Sequence, residues 1–89
     1  MARDIQILEL IRTQGNMTPR AISREGDIPR LDITRKYAGD RCRALHAHDL
    51  LHKIDRGLYG ITNKGIQFLD GEIDAGELEG GPDNADDSE

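Results

Sequence analysis

Arg35, Lys36 and Arg43 are the side chains whose type and spacing most clearly imply chemistry. Arg35 and Lys36 lie eight and seven residues before Arg43, about two helical turns, so all three can share one exposed face. An arginine fork bonds guanine O6 and N7 together, so such a face suits the edges of base pairs in a DNA major groove. Thr34, just ahead of them, could meet a phosphate or a thymine methyl. Asp40 is unusual on a DNA-facing surface. It either accepts from cytosine or holds Lys36 (four residues before) and Arg43 (three after) in place. With Arg41 these residues form the densest basic run in the chain. The plain alternative is a solvated helix face paired with itself.

A second set flanks the first. Arg20 and Arg24 are four residues apart, and Arg20 falls in the first turn of a helix opened by Thr18-Pro19. The backbone N–H groups of Arg20 and Ala21 are expected to be free there, which makes a phosphate clamp. Arg56 sits in an Asp-Arg-Gly turn, where it can enter a minor groove or touch a phosphate, and Lys53 lies on the same hairpin. A solvated turn residue is the alternative for Arg56. The expected DNA contacts are therefore Thr18, Arg20, Arg24, Thr34, Arg35, Lys36, Asp40, Arg43, Lys53 and Arg56.

Other chemistry is poorly supported. Cys42 and His46 have i, i+4 spacing, but Cys42 also falls on an apolar stripe, where free cysteine acts as a small hydrophobe. No Cys-x-x-Cys pair accompanies them or His48 and His52. No metal site and no cofactor are expected. There is no glycine-rich phosphate loop and too little chain to enclose a substrate, so neither catalysis nor a small-molecule substrate is expected.

The net charge of −5 hides an asymmetry. Residues 1–70 hold all twelve bases against nine acids, a net of +3, and residues 71–89 hold eight acids and no base. A mildly basic domain with an acidic appendage fits a nucleic-acid partner, though the acid alone can serve solubility. Nine of the twelve bases are Arg, and with the excess of acid this pattern fits a salt-loving source. One cysteine excludes an internal disulfide and fits a reducing cytoplasm. No apolar run approaches a membrane span and no signal peptide heads the chain.

These side chains need elements to hold them. Residues 4–14 read as a helix capped by Asp4, with Ile5, Leu8 and Ile11 on one stripe, Ile7 and Ile11 on the next, and Gly15-Asn16 as its stop. Leu10 widens the apolar arc, and part of this helix could form a dimer contact. Thr18-Pro19 opens a second helix through about Arg24 or Glu25, with Ala21 and Ile22 inward. The turn from Gly26 to Arg30 should plug the core with Ile28. A third helix, capped by Asp32 or a close neighbour, runs to about His48 with Ala38, Cys42 and Leu45 inward. Leu50–Thr62 reads as a hairpin turning at Asp55-Arg56-Gly57, with Leu50, Ile54, Leu58 and Ile61 as core contacts. Thr62 caps a fourth helix, Asn63 to about Gly71, carrying Ile66, Phe68 and Leu69, with Ile73 continuing its stripe. Leu78 is the last large apolar residue, and Gly80–Glu89 should be disordered.

The order helix-helix-helix-strand-strand-helix is a winged helix-turn-helix, a mainly α fold with a small β-hairpin. Residues 1–79 form the DNA-binding domain and 80–89 an acidic tail. Four stretches also resemble one family: Thr18-Pro19-Arg20-Ala21-Ile22, Tyr37-Ala38-Gly39-Asp40-Arg41-Cys42-Arg43-Ala44-Leu45, Arg56-Gly57-Leu58-Tyr59-Gly60-Ile61-Thr62-Asn63-Lys64-Gly65 and Gly71-Glu72-Ile73-Asp74-Ala75. They resemble the haloarchaeal phage phi-H repressor-like winged-helix proteins over about residues 4–79. The chain departs from that pattern at Asp49, where relatives tend to carry Gly, and at Gly60, where they tend to carry Arg. The resemblance implies DNA-binding transcriptional regulation. The favoured expectation is a repressor-like regulator of double-stranded DNA, acting as a homodimer whose two-fold axis places two helices on half-sites about one helical turn apart. The rival expectation is a winged-helix protein-interaction module that never meets DNA.

Overall fold

The computed structural model describes residues 2–72. Along the chain come α1 (Ala2–Gln14), α2 (Pro19–Ile22), α3 (Arg35–Ala47), β1 (Leu51–Asp55), β2 (Leu58–Ile61) and α4 (Asn63–Leu69). This is the expected winged helix-turn-helix order. Ile73, Leu78 and the acidic tail lie outside the described residues.

Helix α1 buries Ile7, Leu8 and Ile11 completely or nearly so. They meet Ile22 from α2 and Ala38, Cys42 and Leu45 from α3, with Leu50, Leu51 and Tyr59 closing the core from the hairpin side. Each large aliphatic side chain removed from water there contributes about 1.5–3 kcal/mol. Ile5 stands on the outer edge of the apolar arc and is 37% exposed. Gly15 stops the helix with φ 93°, and its N–H donates to the Ile11 carbonyl. Asp4 does not cap α1. It lies within the first turn, buried, and its carboxylate is taken by Arg41.

Helix α2 has only four residues, because Ser23 leaves the helical region at ψ −179°. Backbone bonds Arg24 N–H to Ile33 O and Leu31 N–H to Ile22 O tie the connecting loop back onto α2. That pairing turns Leu31 and Ile33 inward. Ile28, the expected plug, is instead 63% exposed at the tip of the loop. The cap of α3 is Thr34, whose Oγ1 accepts from the Tyr37 N–H at 3.1 Å. Asp32, two residues earlier, pairs with Arg24.

At the end of α3, His48 caps and Asp49 takes φ 63°, the left-handed position for which Asp tolerates what Gly does freely. The hairpin then pairs Leu51 with Ile61, His52 with Gly60 and Lys53 with Tyr59. A register irregularity between Lys53 and Asp55 leaves Ile54 outside the ladder. Ile54 is 43% exposed, so it is not the core contact its alternation implied. Tyr59 goes inward in its place. Met17, in the α1–α2 connection, exchanges two 2.9 Å backbone hydrogen bonds with Tyr59 and forms an isolated antiparallel bridge. The wing is thus stitched to the start of the helix-turn-helix.

Thr62 joins the wing to α4. Its Oγ1 accepts from the Gly65 N–H at 3.0 Å and donates to the Asp49 carbonyl at 2.6 Å. Gly65 lies where the first turn of α4 crosses the hairpin. A Cβ there would come within 2.4 Å of the Leu50 carbonyl oxygen and 2.7 Å of Ile61 Cγ1. Gly65→Ala gains about 1 kcal/mol of helix propensity. The contact with backbone, which cannot swing aside, outweighs that gain at a cost of up to about 3 kcal/mol. The expected net result is a melting midpoint lowered by about 10 °C, measured by thermal unfolding followed by circular dichroism. An unchanged midpoint would contradict this packing.

Candidate nucleic-acid interface

Two short helices and a turn bring distant bases to one surface. The sharp connection between α2 and α3 lays Thr18, Pro19 and Arg20 alongside the first three turns of α3. Gly39 faces Pro19 there, and a Cβ on it would make only ordinary van der Waals contact with the Pro19 ring, at 3.9 Å. The wing turn, with Gly57 at φ 71°, swings Arg56 over from the other side. The result is an open groove of about 530 Å³ lined by Thr18, Pro19, Arg20, Arg35, Lys36, Gly39, Arg43, Arg56 and Gly57.

Of the ten expected contacts, this groove gathers Thr18, Arg20, Arg35, Lys36, Arg43 and Arg56. Asp40 borders it by pairing with two of its walls: Lys36 Nζ lies 3.6 Å from one carboxylate oxygen, and Arg43 bonds the other. Among the described residues, Asp40 therefore has two cationic partners already in place. Arg24 and Lys53 are not among the lining residues. Arg24 is held beside the α2–α3 loop by Asp32 at 3.2 Å. Lys53 is exposed on β1 opposite Tyr59. Thr34 is exposed, with its hydroxyl oxygen engaged as the α3 cap.

The expected clamp of free N–H groups at Arg20 and Ala21 is corrected at Ala21 by the cap geometry. The Ala21 N–H donates to Thr18 Oγ1 at 3.1 Å. Thr18 thus acts first as a cap, and the Arg20 side chain is what faces the groove, with Asp27 3.3 Å away. A similar internal arrangement holds the start of α3, where Glu25 Oε2 accepts from the Arg35 N–H at 2.8 Å. The side chains of Arg35 and Arg56 have no ion-pair partner among the described residues.

Arg41, counted in sequence with the basic run, turns away from the groove. Its Nε and one terminal nitrogen donate to the two Asp4 oxygens at 2.8 and 2.7 Å. This bidentate pair raises the Arg41 pKa, the hydrogen bond to Asp4 being the main cause. The positional signal that could have identified it is weak: Arg41 lies one residue before buried Cys42 and three after buried Ala38.

Cys42 is fully buried, and desolvation pushes its thiol up to about 12, so it stays a neutral core side chain at physiological pH. The His46 ring is turned elsewhere. Its Nδ1 donates to the Leu51 carbonyl at 3.1 Å, and the ring meets Tyr59 edge-on with centroids 6.3 Å apart. No group of three or more His, Cys, Asp or Glu side chains among the described residues is placed to hold a metal. No helix among them is long and apolar enough to cross a membrane.

Comparison with known proteins agrees with this geometry. No curated protein matches the chain. A solved structure, the PhiH1 repressor-like protein from Haloarcula marismortui, is similar with a TM-score of 0.75 and 35% sequence identity. The match covers 84% of this chain and 82% of that one. The model of the winged helix-turn-helix phage repressor family matches residues 1–81. The chain belongs to the winged helix-turn-helix phage repressor family, a family of DNA-binding regulators.

Proposed function

We propose that this protein is a sequence-specific, repressor-like transcriptional regulator. In this reading α3 enters the major groove and the wing contacts the adjacent backbone or minor groove. The observation that carries it is the convergence of Arg20, Arg35, Lys36, Arg43 and Arg56 on one open groove between the helix-turn-helix and the wing. Arg35 is best suited to read a base. It stands at the first position of α3, where recognition helices meet base edges, and its guanidinium has no ion-pair partner among the described residues. Arg56 at the wing tip and Arg20 at the opposite wall are suited to phosphates.

A homodimer completes the proposal. One winged helix covers only about 600–1,000 Å² of DNA, and two-fold pairing places a second recognition helix about one helical turn away. Part of α1 supplies the contact in this reading, since Ile5 and Leu10 remain outside the fully buried core. The reading also places the protein in the cytoplasm, without cofactor or enzymatic activity.

Selection of bound duplexes from a random pool tests the function. The expected result is enrichment of a two-fold symmetric site. Absence of any enriched sequence would favour the alternative, a protein-interaction module, which the partly neutralised groove makes the natural second reading.

A further inference from the structure

The groove carries its own counter-ions. Five bases line it, Arg20, Arg35, Lys36, Arg43 and Arg56, and three of them are already paired with acids. Asp27 lies 3.3 Å from Arg20. Asp40 takes both Lys36 and Arg43. These acids are not burial devices, because the Asp27 side chain is 93% exposed and that of Asp40 46%. Exposed pairs of this kind add little to folding stability. Their consequence falls on what the groove binds.

Resting on the DNA-binding reading of this groove, we propose that Asp27 and Asp40 are specificity-determining residues acting as built-in counter-ions. A phosphate approaching Lys36 and Arg43 must take them from Asp40, and the carboxylate it displaces then needs a cation from solution. Binding therefore takes up cations at the acids while it releases them from the duplex. A random duplex, offering phosphates alone, gains little from that exchange. A duplex whose base edges engage Arg35 keeps its full direct contact, since Arg35 carries no such acid. Asp40 thus discriminates against contact by charge alone. It does so from within α3, at the border of the groove, through its pairs with Lys36 and Arg43.

The salt dependence makes this measurable. Each phosphate neutralised contributes about −0.9 to the slope of log affinity against log salt. Five unopposed bases give a slope of about −4.5, and two internal carboxylates reduce it to about −2.7. The experiment measures binding of the full chain to a random-sequence 30-base-pair duplex, by fluorescence anisotropy between 0.05 and 1 M KCl. The variant is Asp27→Asn/Asp40→Asn, and Glu9→Gln/Glu72→Gln removes the same charge away from the groove. The expected result is a slope steeper by about 1.8 in the groove variant only, with random-duplex affinity about sixty-fold tighter at 0.1 M KCl and converging toward wild type at 1 M. The preference for the duplex selected by the wild type over the random one falls correspondingly. An unchanged slope in a wild type that does bind DNA overturns the counter-ion role and leaves the DNA reading standing. Equal steepening in the Glu9/Glu72 variant overturns it too, because net charge would then be the cause. A wild type that binds no duplex at 0.05 M KCl overturns both. Melting curves of the three proteins check that the folds are equivalent.

Discussion

Arg41→Ala lowers the melting midpoint by about 10–20 °C, the largest effect expected of any single truncation on the surface of α3. The reason is an asymmetry within one ion pair. Asp4 is 95% buried as a side chain, whereas Arg41 is 37% exposed. Removing the arginine leaves a carboxylate out of water with both oxygens stripped of their donors. Breaking a fully buried pair costs about 3–5 kcal/mol, and partial exposure of Arg41 brings the expected loss to about 2–3. Removing the acid costs less, since the freed guanidinium can turn to solvent. Asp4→Ala should therefore fall short of Arg41→Ala, and the double variant should recover part of the loss. Thermal unfolding of the two singles and the double gives the comparison directly. Equal effects of the two singles would show that Asp4 is not shielded as described. The pair joins α1 to α3 across 37 residues of sequence, so on the proposed reading DNA affinity should also drop as α3 loses its seat.

Arg35→Ala/Lys36→Ala/Arg43→Ala weakens DNA binding about a thousandfold at 0.1 M KCl and leaves the melting midpoint within a few degrees. All three side chains are exposed, so the core does not register their loss. A base-reading arginine is worth about 1–3 kcal/mol, and a phosphate contact less. The ion pairs with Asp40 reduce what Lys36 and Arg43 contribute, so simple addition overstates the sum. Yet truncation also strips Asp40 of both its cations and leaves a bare carboxylate facing phosphate, which restores most of the loss. Arg3→Ala, outside the groove, should change affinity by less than about twofold at the same salt. Gel shifts of the triple variant and of Arg3→Ala on the selected duplex make the comparison. Equal binding by the triple variant and the wild type would remove α3 from the interface.

The fold was legible because its signals are local. Thr18-Pro19, Gly15, Thr62 and the Gly-containing wing turn announce themselves through caps and breakers, and the apolar stripes of α1 and α3 follow the helical period. What sequence misjudged depends on partners far along the chain. Ile28 looked like the only apolar residue in its turn able to reach inward. The backbone pairing of the loop with Ile22 and Ile33 hands that place to Leu31 and Ile33. Ile54 fell on the right face by simple alternation, and the irregularity beside it moved it out. Tyr59 went unassigned because its partner, Met17, lies 42 residues earlier. The groove was legible in residue type, and the convergence of α2, α3 and wing was expected from the fold. Which bases are free was not legible. Asp4 and Asp40 both follow or precede basic residues at plausible spacings, yet only the three-dimensional packing sends Arg41 to Asp4 and leaves Arg35 alone.

The Met17–Tyr59 bridge fixes a distance as well as a strand. Because both its hydrogen bonds join the wing to the segment immediately before α2, the wing tip and the α2 wall behave as the two jaws of a caliper with a locked opening. A hairpin hinged only at its own base could open to suit any duplex it met. Here Arg56 and Arg20 keep a set span, and changing it requires breaking paired backbone in contact with the core. On the proposed DNA-binding reading, a duplex held there must conform to that span, and sequences whose phosphate-to-phosphate width already matches it bind without deformation, so that the stitched wing would measure DNA shape while α3 reads its letters.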